Sequence, residues 1–147
     1  MIFGQLLVGW MESHPEQRRG VDYVVGNPTH TGRRPLQHIE AIMDATYTED
    51  VTRAFPLSPP GGHRLVKHAE TARSANRTLD DKRATAAAHA AALTWTGDPR
   101  DIKGATILLV DDVFTSGSQL QHVARRLRAT GAADVRGLVL ACVPWSG

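Results

Sequence analysis

Residues 105–110, ATILLV, form an apolar run with no alternation. A strand with one wet face alternates polar and apolar residues with a period of two. A strand without a polar face has both sides covered, as happens in a parallel sheet with helices above and below. The chain beyond it narrows the choice further. After a loop at residues 111–118 the helix of SGSQLQHVARRLRATG (116–131) runs on, where Leu120, Val123, Ala124 and Leu127 keep the i, i+3, i+4, i+7 spacing of one helix face and Gly131 provides a stop. DVRGLVLACV then reads as another strand. Strand, loop, helix, strand is a parallel crossover, and ligands of such sheets sit beyond the carboxyl ends of the strands. The predicted fold class is α/β, with a central, mainly parallel sheet flanked by helices.

Upstream, VDYVVG (21–26) reads as a strand that stops at Gly-Asn-Pro, and NPTHTGRR (27–34) as the loop leaving it. Pro35 suits the first turn of a helix over PLQHIEAIMDATY, with Leu36, Ile39 and Met43 on one face. FPLSPPGG (55–62) is a loop or edge segment. LVKHAETARSANRT fits either a strand with a loop or a helix, and DDKRATAAAHAAALTW has helix propensity through to Trp95. GDPRDIKG is a turn. At the N-terminus Ile2, Leu6, Trp10 and Phe3, Leu7, Met11 each repeat at i+4, so residues 1–18 are expected to form an amphipathic helix with one wide apolar stripe, packed on the domain or on a partner subunit. With 147 residues, the chain is expected to be a single domain, 1–147, with its core in 20–145.

Seventeen basic against 15 acidic side chains give a net charge of +2, too mild by itself to argue for nucleic acid. The one cysteine, Cys142, rules out an internal disulfide and a cysteine-based zinc site. Lying in LVLACV, it is expected to be a small buried core residue, compatible with a reducing compartment. No stretch reaches the ~20 apolar residues of a membrane span, and the apolar N-terminus lacks the basic region and cleavage site of a signal peptide. A cytoplasmic location with no membrane association is the expectation.

The chemistry concentrates in residues 111–119, DDVFTSGSQ. Thr115, Ser116 and Ser118 bring hydroxyls, Gly117 permits a tight turn, and the helix beginning there points its positive end at the same spot. That is a cradle for a phosphomonoester, without the lysine of a P-loop. Asp111 and Asp112 precede it. Two adjacent carboxylates repel each other and a nearby phosphate unless donors or a cation lie between; sugar hydroxyls and Mg²⁺ meet that need. A sugar phosphate with a divalent ion satisfies every part. The competing reading is a solvated strand end followed by a Ser/Thr helix cap.

LLVDDVFTSGSQL resembles the phosphoribosyl-pyrophosphate (PRPP) loop of type I phosphoribosyltransferases, most nearly the ComF-like (amidophosphoribosyltransferase-like) branch, whose pattern is roughly V-D-D-V-x-T-T-G-x-T-L. Ser116 replaces the second Thr of that pattern, and Gln119 stands where a further Thr is found. The resemblance covers about residues 20–145. It implies the type I fold with a minimal hood; the zinc ribbon that often precedes ComF-like domains is not expected here, because the chain has one cysteine. It implies an Mg²⁺-dependent transfer of the 5-phosphoribosyl group from PRPP to a nitrogen nucleophile, with release of pyrophosphate. Asp111 and Asp112 would hold the ribose hydroxyls and, through ribose or water, the metal. Val113, Phe114, Thr115, Ser116, Gly117, Ser118 and Gln119 would form the ribose and 5′-phosphate loop. Asn27, Pro28, Thr29 and His30 are in register with the family's pyrophosphate loop. Arg33, Lys67 and Arg83, with the two aspartates, are the candidate catalytic residues, the cations stabilising charge on the leaving pyrophosphate. Taken singly, Arg33 also fits a solvated helix start, and Lys67 and Arg83 a surface basic helix. Asp80 and Asp81 read as helix capping.

A second function fits the same residues: a non-catalytic sensor of PRPP or of a nucleotide monophosphate, or a nucleic-acid-associated accessory protein of this fold. A phosphohydrolase with Asp111 as nucleophile lacks the flanking acids it needs. A homodimer through the N-terminal helix is a further expectation.

Overall fold

The computed structural model describes residues 2–28, 38–69, 78–114 and 117–142; the side chains of His38, Val113 and Phe114 fall outside that description. Among the described residues three parallel strands form the main sheet, in the order β1 (Tyr23–Gly26), β4 (Thr106–Phe114), β5 (Asp134–Cys142). A two-stranded antiparallel sheet pairs β2 (Leu65–Lys67) with β3 (Leu93–Trp95). The helices are α1 (Ile2–Ser13), α2 (Pro15–Arg18), α3 (His38–Glu49), α4 (Leu79–Ala91) and α5 (Ser118–Thr130), with a 3-10 turn at Pro99–Ile102. The α/β class expected from the sequence is the observed one.

β4 explains why. Its side chains alternate between two apolar layers rather than between core and water. Ile107 and Leu109 join Val25, Leu65, Ala90, Leu93, Val123 and Leu127 on the side of α4 and α5. Leu108 and Val110 join Val24, Leu7, Met11, Ile39 and Met43 on the side of α1 and α3. Full burial of each such side chain is worth roughly 1.5–3 kcal/mol, so this strand anchors both layers. Its register with β1 is fixed at the amino end by Asp22: the Asp22 amide donates to the Thr106 carbonyl, and the Asp22 carboxylate accepts from the Thr106 amide, each at 2.8 Å. The outer edge of β1 is met by the 55–62 segment, where Leu57 bridges Val24 in parallel. That segment is oriented by Asp50, whose buried carboxylate accepts from the amides of Ala54 and Phe55 at 2.9 and 3.0 Å.

Several expectations are corrected. The alanine-rich helix ends at Ala91, and Leu93–Trp95 is strand, because Leu65–Lys67 offers its backbone as a partner; that pairing also resolves the ambiguity at residue 65 in favour of a strand. Asp80 and Asp81 lie in the first turn of α4 rather than at its cap, which is Thr78, whose hydroxyl accepts from the Asp81 amide. The N-terminal helix breaks at His14, before Pro15. Its stripe also divides: Gly4, Leu7 and Met11 are buried against α3, whereas Ile2, Phe3 and Leu6 are exposed. Cys142 is exposed rather than buried, since it ends an edge strand beyond the reach of either layer. No helix among the described residues is long and apolar enough to cross a membrane.

α1 lies close on α3 because Gly4 has no side chain. A Cβ there would sit 2.9 Å from the Ala45 carbonyl carbon and 3.0 Å from the Thr46 amide nitrogen, backbone atoms that cannot turn aside. Overpacking of this kind costs about 1–3 kcal/mol, against at most about 1 kcal/mol gained in helix propensity. Gly4→Ala is therefore expected to lower the midpoint of urea unfolding; an unchanged or raised midpoint would show that α1 contributes little to the folded state.

Candidate functional site

The pairing of Gly26 with Val110 sets what happens at the next step of each strand. Asn27 and Asp111 come side by side at the carboxyl ends of β1 and β4, and the Asn27 amide still donates to the Val110 carbonyl at 2.8 Å. Both side chains continue the parity of Val25 and Leu109, so both face the α4 and α5 layer. β1 leaves the sheet tightly under α3: a Cβ on Gly26 would lie 2.8 Å from Met43 Cγ and 2.9 Å from Ile39 Cγ1.

A buried polar network results. Asn27 Nδ2 donates to Asp111 Oδ2 and to Gln119 Oε1, each at 2.9 Å. His89 Nε2 lies 2.8 Å from Asn27 Oδ1. The Asp112 amide donates to Asp111 Oδ1 at 2.9 Å. Asn27, His89 and Asp111 are all buried. A buried polar group without a partner costs about 1–3 kcal/mol, so three such groups in one place persist only because they satisfy each other.

Burial pushes the Asp111 carboxyl up to about 7, opposed by the hydrogen bond from Asn27 and reinforced by the Asp112 carboxylate beside it. Burial, and secondarily the charge of Lys67, pulls His89 down to about 4. His89 is therefore neutral near pH 7. Because Nε2 faces a carbonyl oxygen, that nitrogen carries the ring proton.

Five residues beyond Asp112 the chain enters α5 through Gly117, the N-cap, at φ 74° and ψ −5°. This left-handed conformation favours glycine, and no described side chain caps the helix there. No acid occupies the first turn either, so the helix dipole favours an anion there. The hydroxyl turn itself, Thr115 and Ser116, lies outside the described residues, and Val113 and Phe114 are placed by their backbone pairing with Ala141 and Cys142.

The structure thus brings Asn27, Asp111, Asp112 and Gln119 together. Pro28 is buried next to them; Thr29, His30 and Arg33 lie outside the described residues. Lys67 ends β2 close enough to His89 to act on its charge. Arg83 is largely exposed, 4.0 Å from Asp80. The side chain of Asn27 is directed inward, and Gln119 is turned toward it. A cavity of 260 Å³, lined chiefly by Val24, Gly26, Pro28, Met43, Leu65 and Lys67, lies between β1, α3 and β2. Sequence reasoning missed His89. Its signal was a lone imidazole in the alanine run TAAAHAAAL, one turn after Thr85 on the face that α4 buries.

Two comparisons bear on this arrangement. The sequence model of the phosphoribosyl transferase domain matches residues 65–144, more than half of the chain, spanning β2 to β5 with both aspartates and His89. None of the curated proteins compared matches the chain.

The raised Asp111 carboxyl has a consequence for stability. Folded, it keeps its proton to about pH 7; unfolded, it releases it near the ordinary 3.8. Between these values the folded chain binds more protons, so the contribution of Asp111 to stability declines as pH rises through the window. His89 acts in the opposite sense, its contribution being lost as pH falls from 6.5 toward 4. The stability of the wild type minus that of Asp111→Asn isolates the first effect. It is expected to fall steadily from about pH 4 to about pH 7, followed by thermal unfolding in a pH series; a flat difference would mean that the carboxyl titrates normally.

Proposed function

Because the chain belongs to the phosphoribosyl transferase family, we propose that it binds PRPP with Mg²⁺ at the carboxyl ends of β1 and β4 and transfers the 5-phosphoribosyl group to a nitrogen nucleophile. The observation that carries this reading is the carboxylate pair near the end of β4, partly buried, followed in sequence by the N-terminus of α5, whose N-cap Gly117 makes no side-chain hydrogen bond and whose first turn holds no acid. Asp111 and Asp112 accept from the ribose hydroxyls. Residues 113–119 surround the 5′-phosphate, with the backbone amides of the α5 entrance as principal donors. The backbone of Asn27 and Pro28, with Thr29 and His30, borders the pyrophosphate, and Arg33, Lys67 and Arg83 supply positive charge as it leaves. The LLVDDVFTSGSQL string supports the ComF-like branch in particular.

The reaction breaks the C1–O bond, whose electron pair departs with pyrophosphate. The nitrogen lone pair forms the new bond to C1, and the proton of that nitrogen passes to solvent. Positioning and charge stabilisation account for the rate, and neither aspartate needs to act as a strong base. The donor set suits Mg²⁺: adjacent carboxylate oxygens are hard ligands, and their mutual repulsion is relieved by a cation. Among the described residues no cluster of three or more His, Cys, Asp or Glu is arranged to hold a metal, so the remaining ligands would be PRPP oxygens and water. The ion, when bound, neutralises charge on the pyrophosphate. In this reading residues 1–147 are one domain, and the exposed Ile2, Phe3 and Leu6 of α1 support a homodimer through that helix.

A second reading is favoured by Gln119. Its side chain accepts from Asn27 instead of standing as a hydroxyl in the phosphate turn, which suits a non-catalytic sensor of PRPP or of a nucleotide monophosphate, or a nucleic-acid-associated accessory protein.

Calorimetry with PRPP and Mg²⁺ tests both. The wild type is expected to bind, and Asp111→Asn/Asp112→Asn to lose at least about tenfold in affinity, the scale for hydrogen bonds to charged groups. Pyrophosphate release with one of a panel of nitrogenous bases supports the transferase; binding without release supports the sensor. A wild type that binds neither PRPP nor a nucleotide monophosphate rules out the transferase and the ligand-sensing form of the second reading.

A further inference from the structure

Asn27 is where four elements meet. Its Oδ1 faces His89 Nε2 on α4 at 2.8 Å, while its amide nitrogen donates to Asp111 Oδ2 on β4 and Gln119 Oε1 on α5, each at 2.9 Å. The residue is 0% exposed, so water offers no substitute. A carboxamide has a second orientation, rotated by 180°, of nearly the same shape. Here the rotated form would aim Oδ1 at two acceptor oxygens and the NH₂ group at the N–H of His89. With Asp111 ionised, Gln119 oriented as observed and the His89 proton on Nε2, all three contacts would become repulsive at once. The observed orientation requires one thing of His89, a proton on Nε2, and the ring meets it by being neutral and facing a carbonyl.

We propose that His89 is a positioning residue for the ribose-binding carboxylate, acting through Asn27: its Nε2–H fixes the orientation of the amide, and the amide fixes Asp111 Oδ2. The proposal rests on the ribose-binding role given to Asp111 above. The Asp112 amide holds the other oxygen, Oδ1, at 2.9 Å. With Asn27 oriented, the carboxylate is held from both sides, Oδ2 by the amide and Oδ1 by the Asp112 N–H. Without His89 the amide loses one of its three orienting contacts, the only one made to its oxygen among those described, and its hold on Asp111 Oδ2 loosens. Displacements of the order of 1 Å at such a site are costly to binding and rate.

The packing of α4 fits this role. Thr85, Ala86, His89 and Ala90 are its buried residues. Small side chains let the helix lie close to its neighbours, and His89 is the long side chain of that face. Gln119 reinforces the same orientation as a second acceptor for the NH₂ group, so flipping the amide would sacrifice a contact to each of α4, β4 and α5.

Two measurements test the proposal. The first needs no ligand: nitrogen NMR of the full chain at neutral pH, with the His89 signals assigned by their loss in His89→Gln. A pyrrole-like Nε2 carrying a solvent-protected proton and a pyridine-like Nδ1 are expected; the opposite tautomer, or an imidazolium, overturns the proposal. The second is calorimetry with PRPP and Mg²⁺. His89→Ala is expected to bind about tenfold more weakly, as for one lost buried hydrogen bond, and His89→Gln, which restores an N–H at similar reach, to recover to within about threefold of the wild type. Thermal unfolding of both variants separates this from general loss of structure. Binding by His89→Ala as tight as the wild type overturns the proposal, as does His89→Gln binding no better than His89→Ala while both melt like the wild type. A wild type that fails to bind PRPP removes the ribose-binding reading of Asp111, and with it the ligand half of this proposal; the tautomer still reports separately on the amide's orientation.

Discussion

The burial of β4 on both faces is the constraint from which the rest follows. A strand covered by two apolar layers cannot leave a carboxylate at its end to be satisfied by bulk water. Asp111 lies on the α4 and α5 side, one step past Leu109, and must find its partners within the protein. Asn27 is available because β1 runs parallel to β4 in a register held by Asp22 at the opposite end. Chain geometry at one end of the sheet therefore dictates which side chain meets the carboxylate at the other.

That carboxylate carries a cost characteristic of binding sites. Its charge is disfavoured by burial and by Asp112, and favoured by Asn27. His89 complements it. The imidazole is held neutral by the same burial, so it contributes a directed N–H without a second charge.

The sheet and its crossover were legible in the sequence because their signals are local. Lack of alternation in ATILLV and the 3.6-residue spacing of Leu120, Val123 and Leu127 each lie within one element. The carboxylates and the glycine at the α5 entrance were legible for the same reason, as a contiguous string. What was hidden depends on contacts between distant segments. Leu93–Trp95 continues a helical composition and is strand only because Leu65–Lys67 pairs with it. The i+4 repeats of α1 marked one wide apolar stripe, but closeness to α3 at Gly4 decided which part of it is buried. His89 lies 62 residues from Asn27 and Gln119 lies 92 residues from it, so no spacing rule reveals either contact. Cys142 looked like core because its neighbours are apolar, yet the edge position of β5 leaves it exposed.

That exposed sulfur has a practical side. It is the single thiol of the chain, and strand register sets it opposite Phe114, immediately before the hydroxyl turn. A maleimide-linked fluorophore or spin label placed on Cys142 would mark one defined position without mutagenesis. Its emission or line shape would then follow the entrance of α5 in real time as anions are added.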